Sequence, residues 1–389
     1  MTGKHYFKRE FVITALLALL QFALLTAILL LDIQFKDALP DYIAFWPAGR
    51  LVLEGNYNLV YDIESIIDVQ RTVVPGLQAL IMHVHPPFFL FFTTPLAYFD
   101  FYTSCLIWLA ITSCFYGYAC WRIFPNRYAV LLSIFFPPFI ISFSMVQTGA
   151  ICMFFFAGGF LLFRGAPWKA GLCLSLLLIK PHLGILIPVA LLASRQWKII
   201  GATILWTGFL FVVTLLFFDL QLWFDWYKII RYIGELYLSS TEYNILHYQS
   251  FFGFLQFLEC PIPVAWGVQF VIGLINLAII VFVWSRDGFC YETRIGVLVA
   301  ATFMVSPYIM MYDHTMMIVG YLVLARYFLD EKNLTSKTAI LFALSVFCET
   351  LILMFRLPAG FFGAMFMMIA FLLPENRKVC EERLSKTLR

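Results

Sequence analysis

Apolar runs close to the length of a bilayer crossing recur from Phe11 to Leu373, and no other feature constrains the fold of this chain so strongly. In hydrocarbon each backbone N–H and C=O must find its partner within the protein, and for runs this long the solution is the helix. The rest of the composition agrees: 62% of residues are apolar, 43 are Phe, 13% are charged, and the mean hydropathy is +0.88. The chain reads as an all-α polytopic membrane protein, a single integral-membrane domain over 1–389. A formal net charge of +3, with Lys and Arg scattered, gives no surface for nucleic acid and reports orientation instead. Nine cysteines show neither metal nor disulfide spacing and read as small packing residues.

Lys4, Lys8 and Arg9 precede the first apolar run, Phe11 to Leu31, in the manner of a secretory signal. At 21 residues the run exceeds a signal core, and no small-x-small site follows it, so 11–31 is expected to stay as the first transmembrane helix, cytoplasmic end first. Basic residues then collect in short connections: Arg122 and Arg127, Arg164 and Lys169, Arg195 and Lys198, Arg286 and Arg294, Lys332 and Lys337, and the tail 374–389. If these are cytoplasmic, Gln147, Lys180, the segment 219–252, the turn Ser306 to Asp313 and Arg356 face outward, with Lys228 and Arg231 as exceptions. Phe88 to Tyr98, bounded by Pro86, Pro87 and Asp100, is too short for the ~20 residues of a crossing. Read as re-entrant, it agrees with the basic clusters and gives about twelve crossings with both termini cytoplasmic. Read as a short span, it would place Arg122 and Arg127 outside.

Between the first two long apolar segments lies a polar island, 32–87, rich in acids, histidines and turn formers, which must do more than anchor. Asp41 to Arg50 sets a carboxylate beside Phe45 and Trp46 at helical spacing, Gly55-Asn56 reads as a helix stop, and Tyr61-Asp62 begins another short element. Two short amphipathic helices on the outer membrane face fit this pattern. Asp41 is either a helix cap or a chemical group. The runs Gly171 to Ile179 and Leu183 to Ala193 meet at Lys180-Pro181-His182, where proline ends a helix and the lysine either lifts its ammonium to water or meets an anion. Rings between 219 and 252, among them Trp223, Trp226, Tyr243 and Tyr248, suit either a membrane-surface belt or sugar stacking.

Several of these pieces, in this order, resemble glycosyltransferase family 87 of the GT-C superfamily, enzymes that depend on polyprenyl-phosphate sugars. The likeness runs roughly from Asp32 to Phe328. It is carried by Asp41-Tyr42 with Phe45 and Ala48, Leu53-Glu54-Gly55, Tyr61-Asp62, and His85-Pro86-Pro87-Phe88 with Pro95-Leu96. Further along it continues through Gln147-Thr148-Gly149, Ile179-Lys180-Pro181, Arg195-Gln196-Trp197-Lys198, Gln249-Ser250 with Gly253, and Ser306-Pro307-Tyr308 with Tyr312-Asp313. Two positions depart from the family pattern: His85 stands where an aromatic is usual, and Val146 where a glycine precedes the glutamine.

The resemblance implies a GT-C-like bundle of about 12 transmembrane helices and an inverting transfer of a hexose, mannose-like, from a lipid-phosphate donor to a lipid or glycan acceptor hydroxyl. The site would lie on the outer face of a bacterial inner membrane. Such chemistry needs a carboxylate to take the acceptor proton and cations or donors to hold the departing phosphate. Asp41 occupies the position of the family's catalytic base; Lys180, then Arg50 and His85, are the candidates for the phosphate. Gln147, Asp313, His314 and Tyr308 are candidates for positioning substrate, although Asp313 reads better as a partner for Lys180, and His314 as a packed histidine. No Asp-x-Asp or His/Asp cluster suggests a metal, and no cofactor is expected beyond the donor. The competing class is a secondary transporter or lipid-linked sugar flippase, which would ordinarily show two similar halves; no convincing internal repeat is present.

Overall fold

A computed structural model of the chain describes residues 41–77, 81–239, 248–331 and 335–374. The expected first crossing at 11–31, the start of the polar island and the tail from 375 lie outside the described residues. Within them the protein is helical throughout, and the single departure is an isolated antiparallel bridge between Tyr248 and Met310.

Four helices are long and apolar enough to cross a bilayer: Phe101–Ile123, Trp197–Phe217, Ile262–Ser285 and Ser336–Phe355. Five more are apolar but shorter, namely Pro87–Leu96, Gly149–Leu161, Pro167–Ile179, Pro181–Ala193 and Gly360–Leu372. At 1.5 Å per residue a 13-residue helix reaches ~20 Å, against a hydrocarbon core of ~30 Å. The expected twelve crossings are therefore not present as twelve continuous helices among the described residues. Proline contributes to this, since it cannot donate to the helix ladder and opens a new segment inside an apolar run at Pro137 and at Pro181. The Pro87–Leu96 piece is too short to span.

Two environments divide the helices. Trp197–Phe217 and Ile262–Ser285 present large apolar side chains outward, as lipid-facing helices do, with Leu216 76% and Phe270 66% exposed. Tyr291–Val305 is the opposite case: it is apolar around its circumference and buried, with Val297 to Ala301 wholly inaccessible, packed against Ile262–Ser285 and Gly360–Leu372.

The polar island forms two short helices, Trp46–Leu53 and Ile63–Val73. The first ends at Gly55, whose φ of +80° lets its N–H reach Val52 O while Asn56 N–H reaches Leu51 O, closing the orphan carbonyls of the last turn. The second begins at Asp62, which caps it through Ser65 N–H at 2.9 Å. Gln70 then donates to both Ile43 O (3.1 Å) and Ile81 O (2.6 Å), tying this helix to the Asp41–Ala44 turn and to the returning segment of the loop.

The described part of the aromatic segment is largely one helix, Gln221–Ser239, laid against these loop helices, while Tyr243 lies outside the described residues. Leu222, Ile229 and Ile233 pack with Val60, Tyr61 and Ile66, Trp226 Nε1 donates to Val84 O (3.1 Å), and Tyr57 Oη donates to Asp219 (2.8 Å). The two basic exceptions on this side are locally paired, Lys228 with Asp225 and Arg231 with Glu235. Cys105, Cys120, Cys152 and Cys348 are buried free thiols. Cys290 corrects the expectation for the cysteines: it is disulfide-bonded, a matter of spatial proximity that spacing along the chain does not reveal.

Candidate active site

Asp41 opens a 3-10 turn, Asp41–Ala44, and is held at both ends of the residue. Its N–H donates to Met145 O (3.0 Å), and its Oδ2 accepts from Gln147 Nε2 at 2.8 Å. The following helix is capped by Phe45 without a side-chain bond, so the Asp41 carboxylate is engaged by Gln147 and not by helix capping. Partial burial pushes this carboxyl up to about 6, with the Gln147 hydrogen bond and the Lys180 ammonium acting in the opposite direction.

Gln147 reaches Asp41 because the chain reverses between Pro137–Ser144 and Gly149–Leu161. Val146 sits in this reversal at φ +53°, a left-handed conformation that a β-branched residue adopts only under strain. Val146 thus occupies, with a side chain, the conformation that a glycine would take freely. Two residues later glycine is required by space, since a Cβ on Gly149 would stand 2.4 Å from Tyr312 O and 2.8 Å from Ser142 Oγ. The start of the Gly149–Leu161 helix is thereby pressed against the turn that carries Asp313.

Lys180 lies where Pro181 interrupts the helix, between the 3-10 turns Leu177–Ile179 and Pro181–Gly184. The break turns its side chain inward. It is 7% exposed, not lifted to water as a snorkelling lysine would be, and its Nζ lies 2.6 Å from Asp313 Oδ1 and 4.2 Å from the Tyr312 ring centroid. Asp313, 1% exposed, also accepts from Met310 N–H (3.1 Å) and contacts His182 Nε2 at 3.3 Å through its second oxygen. Burial alone would raise this carboxyl; Lys180 and His182 outweigh it and hold Asp313 well below the usual carboxylate range.

His85 completes the group from the loop side. It is 4% exposed, with its ring 4.4 Å from that of Phe89 and 4.9 Å from that of Phe45, and Tyr61 Oη donates to its carbonyl at 2.7 Å. Neither ring nitrogen has a hydrogen-bond partner among the described residues. Burial, reinforced by His83 and Lys180, keeps the ring neutral by holding its pKa well below the ordinary value. A buried imidazole with two unmet nitrogens has hydrogen-bonding capacity to offer a bound molecule.

The other expected site residues go elsewhere. Tyr308 stands beside the group, its ring 6.1 Å from His182 and 5.8 Å from Tyr248. His314 turns away from its neighbour Asp313. It is wholly buried, its Nδ1 lies 3.0 Å from Glu349 Oε1, and Gly360 packs against its other side, so it has packing partners and no open face toward substrate. Arg50 lies on the exposed side of its helix, paired with Glu54 at 2.8 Å and placed over Trp46, instead of joining the buried group. Its partner was visible in the sequence as an i,i+4 acid. His182, to which the Lys-Pro-His turn in the sequence assigns no role, is the second cation-capable group on Asp313. Among the described residues no group of three His, Cys, Asp or Glu side chains is arranged to hold a metal ion.

A helical membrane protein with a buried cluster of Asp41, Gln147, Lys180, His182, Asp313 and His85 is thus defined before any comparison. The profile of glycosyltransferase family 87 matches residues 83–307, more than half of the chain, and the protein belongs to that family. The matched stretch contains His85, Gln147, Lys180 and His182; Asp41 precedes it, and Tyr308, Asp313 and His314 follow it. Neither the curated proteins nor the solved structures contain a match.

Proposed function

We propose that this glycosyltransferase moves a hexose, mannose-like, from a polyprenyl-phosphate donor to a lipid or glycan hydroxyl, with inversion, at the extracytoplasmic face of an inner membrane. The observation that carries the reading is Asp41: a partly buried carboxylate, raised to about 6, fixed by Gln147 and within the field of Lys180. A base of that strength is ionised near neutral pH, yet takes a proton more readily than a solvated aspartate.

In this reading Asp41 accepts the proton of the acceptor hydroxyl. The hydroxyl oxygen attacks the anomeric carbon from the face opposite the phosphate, the anomeric carbon–oxygen bond breaks, and its electron pair leaves with the lipid phosphate. The charge growing on that phosphate is met by Lys180, which shares its ammonium between Asp313 and the leaving group, with His182 alongside. His85 offers its unmet nitrogens to sugar or phosphate oxygens. The Phe45 and Phe89 rings that hold His85 keep water from that side.

The test is transfer by the purified protein in liposomes given labelled polyprenyl-phosphate hexoses and membrane lipid extract. Labelled product from the wild type, and none from folded Asp41→Asn, supports the assignment. Equal transfer by both removes Asp41 from the chemistry, and donor lipid crossing the bilayer without transfer would favour the flippase reading.

A further inference from the structure

The second concentration of charge lies at the other end of the same helices. Gly149–Leu161 runs from Gln147 to Phe163 and Arg164; Pro167–Ile179 runs back to Lys180; Pro181–Ala193 leads away again to Gln196 and Lys198; and Tyr291–Val305 joins Arg294 to the Ser306 turn. Each is 13 to 15 residues long, so the two ends are ~20 Å apart. Between them at this far end is a cavity of about 400 Å³, lined by Arg164, Lys198 and Arg294 together with Gln196, Trp284 and Tyr291.

No carboxylate lines this cavity, and none of its three cations takes part in an ion pair among the described residues. Arg164 stacks over Tyr291 at 5.0 Å, which orients its guanidinium without neutralising it. Arg294 donates one Nη2 bond to Arg286 O (2.6 Å), while its buried Nε has no partner. The acids nearby are Asp287, whose field reaches Arg294, and Glu292, which lines the neighbouring cavity with Arg326. Three cations brought together, one with an unmet buried donor, describe a receptor for an oxyanion.

The surroundings identify the source of that anion. Trp168 and Trp197, 59% and 62% exposed, flank the cavity at the same end, and beyond them Ile204 and Leu205 are exposed to a lipid-facing surface. Tryptophans at this position mark the headgroup level of a bilayer, and a basic pocket between helices at that level suits a lipid headgroup. We infer that the Arg164, Lys198 and Arg294 cavity binds the phosphate headgroup of an anionic phospholipid in the leaflet opposite the candidate active site.

The full chain, taken from nanodiscs holding phosphatidylglycerol and phosphatidylcholine in equal parts, is examined by native mass spectrometry. The wild type should retain phosphatidylglycerol in excess. Lys198→Ala and Arg294→Ala should each lower that retention about fivefold, the effect of one cation near a headgroup, while Lys198→Arg keeps it. Lys198 is exposed, so its substitution leaves folding intact. Asp41→Asn should retain the lipid as the wild type does, which separates this binding from the transfer reaction. Equal retention of both lipids by the wild type, or full retention by Lys198→Ala, would overturn the inference. Displacement of the lipid by millimolar inorganic phosphate would overturn the lipid assignment in favour of a soluble anion.

Discussion

Gln147 Nε2 donates a 2.8 Å hydrogen bond to Asp41 Oδ2 across 106 residues of chain. This bond favours the charged carboxylate, whereas burial favours the neutral acid, and the balance stands at about 6. If Asp41 is the base, transfer should rise with pH through a midpoint near 6 and level off above it, because only the ionised form accepts a proton. Gln147→Leu removes the bond that favours charge, and the midpoint should move up by about one to two pH units. A pH–rate profile of kcat/KM for both proteins decides the matter; an unmoved midpoint in the variant would detach Asp41 from the titration.

The Lys180–Asp313 pair invites a test that separates holding the fold from holding phosphate. Removing one partner, as in Lys180→Met or Asp313→Leu, leaves a buried charge uncompensated and should cost about 3–5 kcal/mol. Removing both should restore most of the stability, yet leave transfer absent, since no ammonium then faces the leaving group. Thermal unfolding in detergent, read beside transfer rates, distinguishes the two effects. The Asp313 carboxyl is depressed in the folded protein, so the pair's contribution is complete above the ordinary carboxylate range and is lost as pH falls through the lower folded value.

Gly149→Ala should abolish transfer and destabilise by about 1–3 kcal/mol, because the new Cβ must displace Tyr312 O and with it the turn bearing Asp313. Gly117→Ala is the control. It lies in the Phe101–Ile123 helix with open space around it, and should stabilise by about 0.5–1 kcal/mol without changing the rate. Equal rates in the wild type and Gly149→Ala would show that the approach at Tyr312 is immaterial to activity.

Glu349→Ala should unfold at a lower temperature, with a loss of about 1–3 kcal/mol, because it leaves the buried His314 Nδ1 without its hydrogen-bond partner. Glu349→Gln keeps the shape and a hydrogen-bond acceptor for Nδ1, and should lose less. Similar melting temperatures for Ala, Gln and wild type would mean that the pair contributes nothing.

Membrane character and helical class were legible because they rest on hydropathy, which is local. The crossing count was less so, since it takes Gly171–Ile179 and Leu183–Ala193, divided at Pro181, as crossings although each helix is shorter than the bilayer. The pairing of Lys180 with Asp313 could be anticipated from the expense of a lone charge at depth. The direction of His314 could not: adjacent residues on a 3-10 turn project to different sides, and nothing in the chain nearby announces Glu349. The departure from glycine at Val146 is visible in the sequence, and its φ of +53° gives that departure a physical meaning.

The same turn that presents Asp313 to Lys180 hands His314 to Glu349, while Gln249 Oε1 accepts from Gly360 N–H a few residues further along the contact. The hairpin of Ser336–Phe355 and Gly360–Leu372 lies beyond the family match, yet it grips one side of a five-residue turn whose other side grips the cationic lysine. The hairpin therefore behaves as a rivet for the lysine's counterion. A chain shortened before Ser336 would keep every atom of the ion pair and lose the fastening that decides where it points.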